Sequence, residues 1–177
     1  MNVQVSDKAY AGIGSRETPI EVCKVFMQVA KALSDKGYTL RSGHADGADM
    51  AFERGATKKQ IFVPWEGFNG SDSRFFCISE GAKKIASKYH PAWSRCSQAA
   101  QKLHARNVFQ ILGEKLDSPV EFVLCWTLGG SGKGGTGQAI RIATDYCIPI
   151  IDFGRWSPGS LEGVTELRKL LGAANHG

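Results

Sequence analysis

Residues 120–152 read VEFVLCWTLGGSGKGGTGQAIRIATDYCIPIID. The first seven are continuously apolar and rich in Val, Phe and Trp, the composition of a strand buried on both faces. The run stops at Thr127, and glycines follow at 129, 130, 132, 134, 135 and 137. Glycines so closely set exclude a helix or strand interior; they suit a backbone that turns sharply and approaches something closely. Ala139, Ile140, Ala143 and Cys147 then recur at helical spacing, with Thr136 or Gly137 available as the cap, and residues 148–152 read as a second buried strand. The unit is a crossover of strand, glycine loop, helix and strand, with a phosphate-sized nest at a helix N-terminus. No Gly-Lys-Ser/Thr closes the loop and Lys133 lies inside it, so it is not a P-loop.

The same alternation runs through the N-terminal half. Residues 8–12 read as a strand that ends in Gly12-Ile13-Gly14-Ser15-Arg16. A helix then starts with Thr18 as cap, Pro19 in the first turn and Glu21 closing a capping box. Val22, Val25, Phe26, Val29 and Leu33 form its buried stripe, and Lys36-Gly37 ends it. Residues 38–42 read as a second strand running into Gly43-His44-Ala45-Asp46-Gly47-Ala48-Asp49, then a helix carrying Ala48, Ala51, Phe52 and Gly55. Asp46 reads as that helix's cap, or else Asp46 or Asp49 meets a ribose hydroxyl or holds a nearby Arg. Residues 60–64 are a third strand.

Residues 64–98 depart from the pattern. They carry Trp65, Phe68, Phe75, Phe76, Tyr89 and Trp93 around a short helix over 79–88. Such an insertion suits a lid that stacks on a base, or equally a satellite of the core. A helix over 98–112 follows, with Ala99, Leu103, Ile111 and Leu112 inward and Arg106 and Asn107 on adjacent faces. Ser160 caps a last helix through Leu161, Val164, Leu167 and Leu171, and residues 173–177 are expected to fray.

A chain of 177 residues with 42% hydrophobic and 22% charged content suits one domain with a single core, here residues 1–177. No apolar run approaches a membrane span, so no membrane association is expected, and residues 1–7 are too polar for a signal peptide. Five cysteines are odd in number and widely spaced; Cys125 and Cys147 lie in apolar runs and read as small core residues. No C-x-x-C pair suggests zinc, and no metal or cofactor is expected; a reduced cytoplasmic setting fits best, the host cytoplasm if the gene is viral. The net charge of +5 suits a phosphate-bearing partner without forming the dense basic stripe of a dedicated DNA binder.

Taken in order, Gly12-Ile13-Gly14-Ser15-Arg16, the segment from Ser42 to Asp49, Arg106-Asn107 and Gly134-Gly135-Thr136 resemble the superfamily of Smf/DprA DNA-processing proteins and LOG phosphoribohydrolases, and most of all the small DprA-like proteins of phages and prophages. The resemblance implies an α/β fold: a Rossmann-like, doubly wound, mostly parallel sheet of about five strands with helices on both faces. It also implies a ligand site built from Gly14, Ser15, Arg16, Ser42, Gly43, Asp46, Asp49, Arg106, Asn107, Thr127, Gly129, Gly130, Gly134, Gly135, Thr136 and Gln138. LOG enzymes cleave an N-glycosidic bond with an Arg and a Glu that follows the glycine-threonine motif. Here Thr136 is followed by Gly137, Gln138, Ala139 and Ile140, and Gln138 cannot serve as a carboxylate base. Trp126-Thr127-Leu128 stands where the LOG loop opens with Pro. The first expectation is therefore a nucleotide-binding protein, with the aromatic insertion near the base and a use, if viral, in sequestering a host nucleotide signal. The alternatives are a nucleotide N-glycosidase drawing its acid from Asp46, Asp49 or Glu80, and single-stranded DNA binding along the basic segment 83–106. A homo-oligomer is expected.

Overall fold

The computed structural model describes residues 8–174. The reading of residues 1–7 and the fraying of 175–177 lie outside the described residues, whereas Ala173 and Ala174, also expected to fray, are helical. Five strands, β1 (Ala9–Gly14), β2 (Thr39–Ser42), β3 (Lys59–Ile61), β4 (Phe122–Trp126) and β5 (Ile150–Asp152), pair in the order β3-β2-β1-β4-β5. Every pairing is parallel, with Gly14 opposite Trp126 and Cys125 opposite Asp152. Six α-helices connect or follow them: α1 (Ile20–Asp35), α2 (Ala48–Gly55), α3 (Glu80–Lys88), α4 (Gln98–Leu112), α5 (Gly135–Asp145) and α6 (Glu162–Ala174). This is the Rossmann-like doubly wound arrangement, whose strand order reverses between β1 and β4.

The period of two along the central strands divides the core. Tyr10, Phe122, Leu124 and Trp126 point to the layer of α1, α2 and α6, where they meet Phe26, Phe52 and Leu167. Ala9, Ala11, Ile13, Val123 and Cys125 point to the layer of α3, α4 and α5, against Ala86, Phe109 and Ile142. Both faces of β1 and β4 are buried, so these strands carry no polar alternation. Close approach is built with small residues. A Cβ on Gly14 would lie 2.6 Å from that of Ala48, and one on Gly55 would run into the α1 backbone at Met27.

Several expected details fall differently. Thr18 does not cap α1; its hydroxyl donates to the Ser15 carbonyl at 2.6 Å, and Pro19 takes the N-cap position, with no side-chain cap. Asp46 is exposed and Gly47, at φ 81°, precedes α2 in its stead, while Gly134 rather than Thr136 or Gly137 precedes α5. Cys147 lies beyond α5 at φ 55° and is exposed, so only Cys125 of that pair is core. Ala99, in the first turn of α4, is exposed as well. Ser79 and Ser97, not singled out as caps in the sequence, cap α3 and α4 by accepting from the amides of Ala82 and Ala100. No helix among the described residues is long and apolar enough to cross a membrane.

Candidate functional site

The loops leaving β1 and β4 diverge at the point where strand order reverses, and a cleft of about 670 Å³ opens between them. Gly14, Ser15, Arg16 and Glu17 line one side; Thr127, Leu128, Ser131, Lys133, Gly134, Gly135 and Thr136 line the other. The α4 helix closes it with Leu103, His104, Arg106, Asn107 and Gln110. Such a crevice at the carboxyl ends of parallel strands is where open α/β sheets hold ligands.

Each wall is fixed from behind. On the β4 side, Asp152 at the end of β5 accepts from the Thr127 amide at 2.9 Å and the Gly154 amide at 2.9 Å, and from the Thr127 hydroxyl. Thr127 Oγ1 in turn accepts from the Gly132 amide at 2.9 Å, which folds the glycine loop back over the strand end. Gly129, Gly130, Gly132 and Gly134 all have φ between 62° and 78°, a region that costs other residues strain. Among the described residues no side chain caps α5, and the amides of Gly135 and Thr136 in its first turn have no hydrogen-bond partner. A Cβ added at Gly135 would meet nothing within 4 Å, so that position opens onto free space.

On the β1 side, Asp49 on α2 accepts from the Gly14 amide at 3.2 Å and the Ala45 amide at 3.4 Å. Burial pushes its carboxyl up to about 6, against the opposing pull of Arg106 and of the amides it holds. Arg106 is itself buried; its Nη1 donates to the Gly43 carbonyl at 2.5 Å, and its guanidinium stands 5.8 Å from the centre of the Phe68 ring. Its Nε has no hydrogen-bond partner among the described residues. Burial lowers its basicity and Asp49 counteracts that. His104 is held below its ordinary value by burial first and by its neighbour His90 second.

Of the expected ligand residues, Gly14, Ser15, Arg16, Asp49, Arg106, Asn107, Thr127, Gly134, Gly135 and Thr136 border the cleft. The rest do not. Ser42 is fully buried and donates to the Gly12 carbonyl at 2.6 Å, tying β2 to β1. Gly43 lies behind Arg106 and accepts from it, and a Cβ there would collide with Arg106 and Gln110. Asp46 faces solvent. Gly129 and Gly130 belong to the outer bend of the loop, where Gly130 packs on Arg155. Gln138 turns into the core: its Nε2 donates to the Ala86 carbonyl at 3.0 Å, and its Oε1 accepts from Asn107 Nδ2 at 3.2 Å and His104 Nδ1 at 3.1 Å. It links three helices and does not face the cleft.

The insertion corrects a larger expectation, since none of its aromatics borders the cleft. Phe68 is buried in one core layer and Phe76 packs on it, while Phe75, Tyr89 and Trp93 pack on the other, with Phe75 and Phe62 rings 5.1 Å apart. Trp65 packs edge-on to Phe68. Satellite core packing, not a base-stacking lid, is what these rings do. Unforeseen cleft residues include Glu17, Lys133 and, on α4, Leu103, His104 and Gln110. The spacing of 103, 106, 107 and 110 is one helical face, but the sequence does not say which face meets the cleft.

Family models, curated proteins and solved structures were all compared with the chain, and none matches.

Proposed function

We propose that the protein binds a phosphorylated nucleotide in the cleft between β1 and β4, with its phosphate on the first amides of α5 and on Arg106. The observation that carries this reading is the buried Arg106 guanidinium, which borders the cleft. A guanidinium held this deep keeps its positive charge beside the cleft, and an anion bound there pairs with it. The uncapped N-terminus of α5 in the same cleft favours negative charge through its free amides and dipole. Arg16, Arg106 and Lys133 face only Glu17 and Asp49 as acids in the lining. A cleft of about 670 Å³ falls in the range that takes a nucleotide-sized ligand. The resemblance to the Smf/DprA and LOG superfamily points the same way, and a nucleotide signal held without turnover is the form of it that fits a chain with Gln138 in place of the LOG carboxylate.

A nucleotide N-glycosidase is the second reading, favoured by one observation. Asp49 borders the cleft with its carboxyl at about 6, in the range of a proton donor or acceptor near neutral pH. Its two amide bonds hold it to the wall, which argues for a structural role. Mass spectrometry of small molecules released by denaturing the purified protein, with calorimetry of nucleoside phosphates and dinucleotides, tests the first reading. A released or bound phosphorylated nucleotide is expected; the absence of both overturns it. Chromatographic detection of free base that disappears in Asp49→Asn makes the enzyme the better account.

A further inference from the structure

Beside the cleft, His90, Cys96 and His104 each offer one ligand atom, and the three atoms lie within 4.8 Å of one another. We propose that these three side chains form a binding site for a borderline-soft divalent cation of the zinc class, with a fourth, exchangeable ligand from solvent. The chemistry of the set is selective: two imidazoles and a thiol suit zinc, and exclude the all-oxygen sites of magnesium and calcium. The distances fit as well. Tetrahedral zinc with ordinary Zn–N and Zn–S bonds separates a nitrogen from a sulfur ligand by about 3.6 Å. Cys96 Sγ stands 3.7 Å from both ring nitrogens of His90.

The tautomer of His104 is already that of a ligand. Because Gln138 Nε2 donates to Ala86, its Oε1 is the atom facing α4, and an amide oxygen only accepts. The proton of the neutral His104 ring is therefore on Nδ1, and Nε2 keeps a free lone pair. A metal-bound histidine commonly has its second nitrogen held in this way by an outer oxygen. His90 must change one contact: its Nδ1 accepts from the Ala92 amide at 3.2 Å. An ion on Nδ1 replaces that bond, and an ion on Nε2 puts the proton on Nδ1, so either mode releases the amide. Cys96 ligates as thiolate, its proton passing to solvent.

The local architecture gives the ion a task. No residue from 90 to 97 is fully buried, and of these the half-buried Trp93 alone packs on the core, so this end of the insertion is lightly anchored. An ion on His90, Cys96 and His104 would fasten that segment to α4 directly beside the cleft. The sequence conceals the set, because the ligands stand six and eight residues apart on a helix-exit turn, a 3-10 turn and a helix.

Titration of the reduced, metal-free protein with cobalt(II) tests the site. The wild type is expected to take up one equivalent with tetrahedral ligand-field bands and a thiolate-to-cobalt charge-transfer band. Cys96→Ala is expected to abolish the charge-transfer band, and His90→Ala to weaken uptake at least about tenfold, both with circular dichroism unchanged. The wild-type titration stands even if a variant fails to fold: no charge-transfer band in the wild type overturns the proposal. Persistence of that band in folded Cys96→Ala, which would place the ion on another of the free cysteines, overturns it too.

Discussion

The loops that end β1 and β4 and the insertion between β3 and α4 both leave regular structure, and they are built by opposite chemistry. The loops carry glycine and small polar residues, are pinned from behind by Asp49 and Asp152, and turn amides towards a cleft. The insertion carries six large aromatics and packs five of them on the two core layers, with Trp65 left exposed. Aromatic density beside a ligand edge therefore says less about ligand contact than backbone freedom at that edge. Burying a ring is favourable wherever apolar neighbours exist, whereas a run of residues at positive φ lowers stability unless close approach is needed.

Removing a ring from the insertion should cost stability and leave binding alone. Phe75→Ala is expected to lower unfolding free energy by about 2 kcal/mol in chemical denaturation, somewhat below a fully buried Phe because the ring is half-buried. Nucleotide affinity should be unchanged; a loss of affinity with stability intact would make the insertion a ligand wall after all.

The loop side should show itself in pH dependence. Asp49 has a folded value of about 6, above its unfolded one near 4, so the folded state binds more protons between the two. Its contribution to stability is therefore greatest below pH 4, falls as pH rises to about 6, and is constant above. In that window the wild type should lose up to about 1.4 kcal/mol per pH unit relative to Asp49→Asn. Parallel stability curves for the two proteins would mean that the Gly14 wall is not held by a carboxyl of raised affinity for protons.

A smaller effect separates a nucleotide from a long strand. Lys83, Lys84 and Lys88 lie on α3 away from the cleft, and Lys83 already pairs with Glu80 at 3.0 Å. Neutralising all three should leave nucleotide affinity and its shallow salt dependence as they are, while Arg16→Ala weakens binding several-fold. A steep dependence, about 0.7 log units per phosphate contacted, that the lysine variant flattens would favour single-stranded DNA along the insertion.

Most of the fold was legible because its signals are local. The apolar run 120–126, the glycine loop and the helical stripe from Val22 to Leu33 each announce an element by composition or period. The order in which the strands pair was not legible, since crossover rules only narrow it, and the cleft follows from that order. The resemblance supplied Arg106 and Gly134 through Thr136, and these do meet in the cleft. What stayed hidden depends on direction. Gln138 and Asn107 stand in motif segments alike, yet one faces inward to Ala86 and the other borders the cleft. Two of the expected caps failed for a related reason: glycines at 47 and 134 take backbone angles that Asp46 or Thr136 would meet only with strain, so the chain turns there without a side-chain acceptor.

The central claim is that Gly135 opens α5 onto a bound phosphate, and Gly135→Val tests it most directly. The added side chain meets no protein atom at its Cβ, so the variant should keep the wild-type circular dichroism and melting temperature. Calorimetry with the nucleotide that the wild type binds should show affinity reduced by tenfold or more, about 1.4 kcal/mol. A folded Gly135→Val protein that binds that nucleotide as tightly as the wild type would contradict the account.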